Sequence, residues 1–295
     1  VITYRTAPPQ PDRFVAADGS VLMTQADIFA GKGGFQKADL MDYGSLYGMG
    51  SYFGEDYTAS ILVRLGTATQ NNVALARYGK PFSALSADQQ ASAASTMRSA
   101  LQGIDLTRNE VVLPDALARA VVKVRDDVAK SLNVTNPQAG WTPAYSLTPA
   151  LQLQTADFLV FSSLTTVARR PGRTWSWTEN WPFEPLVGNT PTTNTFRWTW
   201  MSFCFTFFCF GLVLFIYEYF LNHPDDAPMD PVLSAFQPLT ASQKRIGKYF
   251  LVVAGLLCVQ IGAGTIRAHS YYDRASFYGI AINAIFKVNF LRDVQ

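Results

Sequence analysis

Two long apolar runs near the C-terminal end dominate the hydrophobic pattern of the chain. The first extends from Thr199 to Leu221 and carries one charge, Glu218, close to its end. The second extends from Tyr249 to Ile266 and carries none. Both are close to the ~20 residues that a helix needs to cross a bilayer. The pattern therefore predicts two membrane helices joined by a short polar loop.

Small residues within the second run indicate that these helices have neighbours. Gly255, Gly262 and Gly264 lie in this run, and small residues allow membrane helices to approach closely. Apolar positions between Ile282 and Leu291 predict the start of a third helix. Two or three such helices are too few to form a stable membrane protein by themselves, so we expect further partners embedded in the membrane.

The part of the chain before these runs shows helical spacing and cap signals. Caps and first-turn prolines mark where helices begin. The predicted helices start near Thr24, cover 59–68, run from the Ser86 capping box to about Leu101, from Pro114 to about Leu132, and from Thr148 through Val167. The fold class is therefore mainly α, with a small helical domain. The charges between Arg119 and Lys130 are predicted to form a solvated face.

Two segments outside these helices have unusual composition. Residues 44–59 are rich in glycine and aromatic side chains, which fits either a shaped loop with close backbone approach or an irregular surface turn. Five of the six tryptophans lie between Thr174 and Trp200. Because an apolar run follows at once, we expect these rings at the membrane interface rather than packed on the domain.

Overall composition narrows the class of protein. The chain has 295 residues, 48% of them hydrophobic, and a mean hydropathy of +0.07, which fits a soluble domain joined to membrane helices. The net charge of +2 gives no indication of nucleic-acid binding. Cys204, Cys209 and Cys258 all lie in the apolar runs. They form no CxxCH motif, which excludes that haem c attachment and a disulfide framework.

The candidate chemistry lies where the second apolar run meets polar sequence. His269 is followed four residues later by Asp273, so the two share a face if the helix continues. Imidazole with a carboxylate is a suitable acceptor for the protons of a quinol. The alternative is a structural pair at a helix end. His223, the other histidine, reads as a helix-end residue without a role.

A series of motifs across the chain resembles the N-terminal part of quinol-dependent nitric oxide reductase, in the haem-copper oxidase superfamily. That family reduces NO to N2O with electrons from quinol. The motifs are, in order, Y-R-T-A-P-P-Q-P, A-D-G-S-V-L, G-M-G-S-Y-F-G-E-D-Y-T-A, A-R-R-P-G, N-W-P-F-E-P-L-V-G-N-T-P-T, Q-I-G-A-G-T-I-R-A-H-S-Y-Y-D and S-F-Y-G-I.

The resemblance implies an architecture and a location. It implies a cytochrome c-like domain without haem, in the bacterial inner membrane with this domain on the periplasmic side. The implied segments are a hydrophilic domain at 1–197, membrane helices at 198–222 and 248–268, a cytoplasmic loop at 223–247, and a periplasmic connection with the start of a further helix at 269–295.

The resemblance also implies roles for particular residues. His269 and Asp273 match the quinol site, although the family has Glu where Asp273 stands. The Gly50 carbonyl and Tyr52 match a segment that helps to hold calcium, together with haem propionates. Gln295 stands where the family has a histidine ligand of haem b.

Partners follow from the same resemblance. Haem b and non-haem iron would be held by a remaining transmembrane part or subunit, and the chain would be a fragment or a separate subunit that is not catalytic alone. A homodimer is also compatible. Three functions remain open: the quinol-docking and structural part of the reductase, a relative that dismutates NO, and a non-catalytic accessory subunit.

Overall fold

The structure is a computed structural model, and it describes residues 7–50, 55–134, 146–222 and 241–272. The chain divides into two compact units, the first ending at Thr192 and the second beginning at Thr193. Each unit is described separately below.

The first unit combines helices with short strands. Its helices are α1 (Gln25–Lys37), α2 (Leu40–Tyr43), α3 (Tyr57–Tyr78), α4 (Ala87–Gln102), α5 (Asp115–Ser131) and α6 (Pro149–Thr165), with a 3-10 turn at Phe82–Ala84. Its strands are β1 (Arg13–Ala16), β2 (Val21–Thr24), β3 (Ser45–Leu46), β4 (Met49–Gly50) and β5 (Glu110–Leu113). The mainly helical class is confirmed.

Helix starts agree with the cap signals in the sequence. Thr24 and Ser86 both form complete capping boxes, with Asp27 and Gln89 as their respective partners. Thr148 accepts a hydrogen bond from the backbone N–H of Leu151 at the start of α6. Caps of this kind satisfy N–H groups that the first helical turn leaves without partners. Three predicted helix starts are thereby confirmed.

A three-stranded sheet, which the helical pattern did not predict, packs on the helices. Its order is β2-β1-β5, with β1 antiparallel to β2 and parallel to β5. Phe14 on the central strand is fully buried, and its ring meets the ring of Phe161 on α6 edge-on, with centroids 6.2 Å apart. This contact anchors the sheet on the helical core.

Helices α1 and α6 approach each other closely through glycine. A Cβ atom added to Gly31 would lie 1.8 Å from the carbonyl oxygen of Gln154, and one added to Gly34 would lie 2.1 Å from Thr155 Oγ1. Only residues without a side chain allow backbones to come so near. The two glycines therefore fix where α1 lies on the core.

The prediction of a solvated charged face on α5 is wrong for Arg125. Lys123 and Asp127 do form an exposed ion pair, at 2.8 Å. Arg125, however, turns inward: its side chain is 16% exposed, and Nη1 donates to the Leu22 carbonyl at 2.5 Å. It also lies 3.8 Å from Oδ1 of the buried Asp157. The long side chain ties α5 to β2 and α6.

The described residues of the second unit form two long helices, α7 (Thr193–Asn222) and α8 (Ala241–Tyr272). A Cβ atom on Gly262 of α8 would lie 3.8 Å from the ring of Phe203 on α7, so the helices touch near this small residue. Large apolar side chains on α7, among them Phe205, Phe208 and Phe215, are about two-thirds exposed.

Among the described residues, one helix is long and apolar enough to cross a membrane: Thr193–Tyr217, within α7. It overlaps the first predicted span. Helix α8 contains the second predicted span, 249–266, whose membrane crossing stays a prediction. The predicted start of a third helix lies outside the described residues.

Candidate functional site

A small hairpin, β3 and β4 with the turn between them, is held by one carboxylate. Asp56 Oδ2 accepts hydrogen bonds from Ser45 Oγ at 2.7 Å and from the Gly48 backbone N–H at 2.6 Å. Its Oδ1 accepts from the Thr58 hydroxyl and from the Ala59 N–H, which caps α3. One side chain therefore starts a helix and shapes the hairpin in front of it.

Backbone geometry in this hairpin requires glycine. Gly48 and Gly50 have φ of +76° and +133°, and Tyr47 between the strands has φ of +56°. A Cβ atom at Gly44 would lie 2.5 Å from the Glu55 carbonyl oxygen, and one at Gly50 would lie 2.5 Å from the Gly44 carbonyl oxygen. The shaped-loop interpretation is confirmed for residues 44–50, because substitution here would bring side-chain atoms onto backbone atoms.

Tyr47 connects the hairpin to the helical core. Its hydroxyl lies 3.0 Å from Thr165 Oγ1 near the end of α6, and its backbone N–H donates to Thr58 Oγ1 at 3.2 Å. Burial raises the pKa of Tyr47 above its ordinary value. Tyr47 and Asp56 were not identified from the sequence as residues that organise the hairpin. The available signal was an aspartate directly before an apolar helical segment, which is typical of an N-cap.

Replacing Asp56 with alanine is expected to lower the free energy of unfolding by about 2 kcal/mol, since a helix cap and the hairpin contacts are lost together. Urea denaturation followed by tryptophan fluorescence measures this change. Asp18→Ala is a matched control, because Asp18 accepts hydrogen bonds from the Ser20 N–H and hydroxyl in an exposed turn. Equal effects of the two substitutions would contradict the central role of Asp56.

The structure places one of the two residues predicted to hold calcium. Gly50 is exposed at the end of β4, and the Met41 and Gly44 carbonyl oxygens lie on the side where its Cβ would be. Tyr52 lies outside the described residues. Among the residues that are described, no three His, Cys, Asp or Glu side chains form a group that could hold a metal ion. Calcium at Gly50 and Tyr52 stays a prediction.

The predicted quinol residues are likewise placed in part. Helix α8 continues to Tyr272, so the backbone of His269 is helical, as the shared-face argument requires. Asp273 and Gln295 lie outside the described residues. The pairing of His269 with Asp273 therefore stays a prediction.

Residues 169–192, here called the strap, follow α6 and cross the domain surface. Arg98 on α4 donates to the Leu186 and Pro185 carbonyls at 3.0 and 3.3 Å. Val187 is fully buried, and its side chain would lie 2.8 Å from a Cβ on Gly66 of α3. These contacts make the strap part of the folded domain.

The interface interpretation of the tryptophans is wrong for two of them. Trp177 packs against the hydrophobic core, and the Trp181 ring lies against the Gly48 backbone, 3.3 Å from where a Cβ would be. Both rings fill space between the strap and the domain. Trp198 and Trp200 belong to α7, and for them the interface stays a prediction.

Comparison with protein families gives one match. Residues 11–183, more than half of the chain, match the NorB cytochrome c-like family, described as the cytochrome c-like domain of the NorB subunit of nitric oxide reductase. A comparison with curated proteins gives no match.

The matched domain is named after cytochrome c, which implies a haem. The residues of this chain in the matched range do not fit a covalently attached haem. Neither cysteine nor histidine occurs before Cys204, so the matched range offers no thioether and no imidazole ligand. Large side chains, among them Phe14, Met23 and Met97, are instead fully buried in one continuous core. The domain is held together by this packing.

Proposed function

Because the chain belongs to the NorB family of nitric oxide reductase, we propose that it is the quinol-docking and structural N-terminal part of a membrane nitric oxide reductase. The observation that carries the proposal is the family match over residues 11–183, followed directly by the membrane-helix candidate Thr193–Tyr217. A hydrophilic domain joined through the chain to a candidate membrane helix suits an enzyme that takes a lipid-soluble donor.

His269 is the proposed proton acceptor of the quinol site. Oxidation of a quinol releases protons together with electrons, and a neutral imidazole can accept a proton while a carboxylate orients it. In the proposal Asp273 is that carboxylate. The electrons leave for haem held by another part of the reductase, because a chain with two histidines cannot supply a centre with several histidine ligands.

The catalytic haem b3 and non-haem iron centre, in this proposal, belongs to the remaining transmembrane part or subunit. The hydrophilic domain lies on the periplasmic side of the bacterial cell membrane. Calcium would be held there by the Gly50 carbonyl and Tyr52 with haem propionates, since hard oxygen ligands suit this ion.

Replacing His269 with alanine in the assembled enzyme is expected to lower quinol-driven NO reduction by about tenfold or more, because a positioned proton acceptor is lost. Turnover is measured by NO consumption with a reduced quinol. An artificial one-electron donor should sustain unchanged activity, since electrons then bypass the quinol site.

His223→Ala is the matched control, as this second histidine is assigned no role. Unchanged quinol kinetics in the His269 variant would overturn the assignment. Gas analysis of the same reaction separates reduction from dismutation, because release of O2 from NO would indicate dismutase chemistry.

A further inference from the structure

The first part of the strap, residues 169–176, forms a tight turn that we call the arginine hairpin. Arg169 and Ser176 form an antiparallel bridge, and the Arg170 N–H donates to the Trp175 carbonyl at 3.0 Å. The Arg173 N–H closes the turn on the Arg170 carbonyl, also at 3.0 Å. Gly172 supplies a φ of +70° at the tip, where residues 171–174 are exposed.

An aromatic ring or an amide lies against each guanidinium group of this hairpin. The Arg173 guanidinium lies 5.1 Å from the centre of the Trp175 ring, and that of Arg170 lies 4.7 Å from the Trp177 ring. Arg169 Nη2 donates to Gln102 Oε1 at 2.5 Å. Stacking on an aromatic ring orients a guanidinium without neutralising its charge.

The hairpin is rich in positive charge. Residues 169–176 contain three arginines and no acidic residue. Neither Arg169 nor Arg173 forms an ion pair in the part of the chain that the structure describes. Further along the strap, Glu179 accepts from the Thr192 hydroxyl at 2.6 Å, and Glu184 accepts from the Leu186 N–H at 3.2 Å.

Hydrogen bonds connect the hairpin to the residue that precedes the membrane-helix candidate. The Glu179 N–H donates to the Ser176 carbonyl at 3.2 Å, and the Thr192 N–H donates to the Glu179 carbonyl at 3.1 Å. Thr193, the next residue, begins the candidate span. The hairpin is therefore connected to the start of that span by these hydrogen bonds and one peptide bond.

We propose that the arginine hairpin binds the phosphate of an anionic phospholipid headgroup at the membrane surface. The planar guanidinium matches phosphate oxygens with paired N–H donors. Basic segments beside a membrane span are attracted to anionic lipid. The connection through the chain to a candidate span favours a lipid over a soluble acidic partner, and the half-buried Trp175 ring adds an apolar surface beside the charge.

The test compares lipid retention by the full chain and two variants. Each is assembled into nanodiscs of mixed phosphatidylcholine and phosphatidylglycerol, and the lipids that stay bound are counted by native mass spectrometry. Arg173→Gln is expected to lower the ratio of retained phosphatidylglycerol to phosphatidylcholine by about fivefold, the effect of one arginine near the surface. Arg119→Gln, an exposed arginine on α5, is the matched control and should leave the ratio unchanged.

The outcomes separate a specific site from general charge. An equal fall in both variants would overturn the proposal, because net charge alone would then explain lipid selection. No fall in the Arg173 variant, with its folding verified by circular dichroism, would overturn it as well. Loss of the retained lipid on adding free glycerol phosphate would show a site for soluble anions, and the assignment to a lipid headgroup would be wrong.

Discussion

Replacing Gly31 with alanine is expected to lower the free energy of unfolding by about 3 kcal/mol or more. The new Cβ would lie 1.8 Å from the Gln154 carbonyl oxygen and 2.9 Å from Phe158 Cβ. These atoms belong to α6 itself, so no side-chain rotation relieves the overlap. The helices must separate, and the core that α1 and α6 share loses its close packing.

Gly33→Ala is the matched control on the same helix. Nothing lies within 4 Å of a Cβ at Gly33, so alanine meets open space there. Because alanine favours helix over glycine by about 1 kcal/mol, this variant should be as stable as the original chain or more stable. Urea denaturation monitored by tryptophan fluorescence compares the two. Similar effects of both substitutions would contradict the close contact between α1 and α6.

Gly31 and Gly33 illustrate which features of the fold can be predicted from the sequence and which cannot. The Thr24 cap predicted the start of α1, because capping depends on residues only three positions apart. No feature of the neighbouring sequence distinguishes Gly31 from Gly33. The two glycines differ because a Cβ at Gly31 would meet α6, whereas one at Gly33 would meet open space. Caps could therefore be predicted, whereas the approach of two helices distant in sequence could not.

The same limit explains the strap and Arg125. The tryptophans before α7 have the composition of an interface segment, yet Trp181 packs against Gly48, more than a hundred residues earlier in the sequence. Arg125 sits among charged neighbours that are solvated, but it reaches Leu22 on β2. In both cases a distant contact overrides the local pattern.

At the candidate site the sequence left two interpretations of residues 44–59, a shaped loop and an irregular surface turn. The close backbone approach at Gly44 and Gly50 favours the shaped loop. The sequence did not identify Asp56 as the residue that organises the loop, because its hydrogen bonds to Ser45 and Gly48 cross the hairpin. When the partners of a residue come together only in the folded chain, the structure is needed to identify the role of that residue.

A buried carboxyl group at the contact of α1, α5 and α6 makes the stability of the domain depend on pH. Asp157 is 3% exposed, and its Oδ1 accepts no hydrogen bond in the structure as described. Burial raises the pKa of Asp157 to about 7; Arg125 opposes this rise, whereas Asp27 and Asp126 add to it. The group is an acid whose proton is retained by the folded state.

The direction of the pH dependence follows from this shift. Below pH 3.8, the ordinary pKa, Asp157 is protonated in both the folded and unfolded states. Between pH 3.8 and about 7 the folded state keeps the proton while the unfolded state releases it. The stabilising contribution of the bound proton is therefore lost as the pH rises through about 7.

Asp157→Asn is accordingly expected to stabilise the domain at alkaline pH and to leave it nearly unchanged at acid pH. Each pKa unit corresponds to about 1.4 kcal/mol, so the gain well above neutrality is on the order of 4 kcal/mol. Urea denaturation over a series of pH values measures the difference between the variant and the original chain, which should grow with rising pH.

Asp127→Asn separates this effect from the general loss of a negative charge. Asp127 is exposed on α5, and its hydrogen bond with Lys123 lowers its pKa, which is opposite to the shift at Asp157. This control should give no stabilisation that grows with pH. If Asp157→Asn instead destabilised the domain by an amount that grew with rising pH, the ionised carboxylate would be a favourable partner of Arg125, and the buried acid would be stabilising in its charged form.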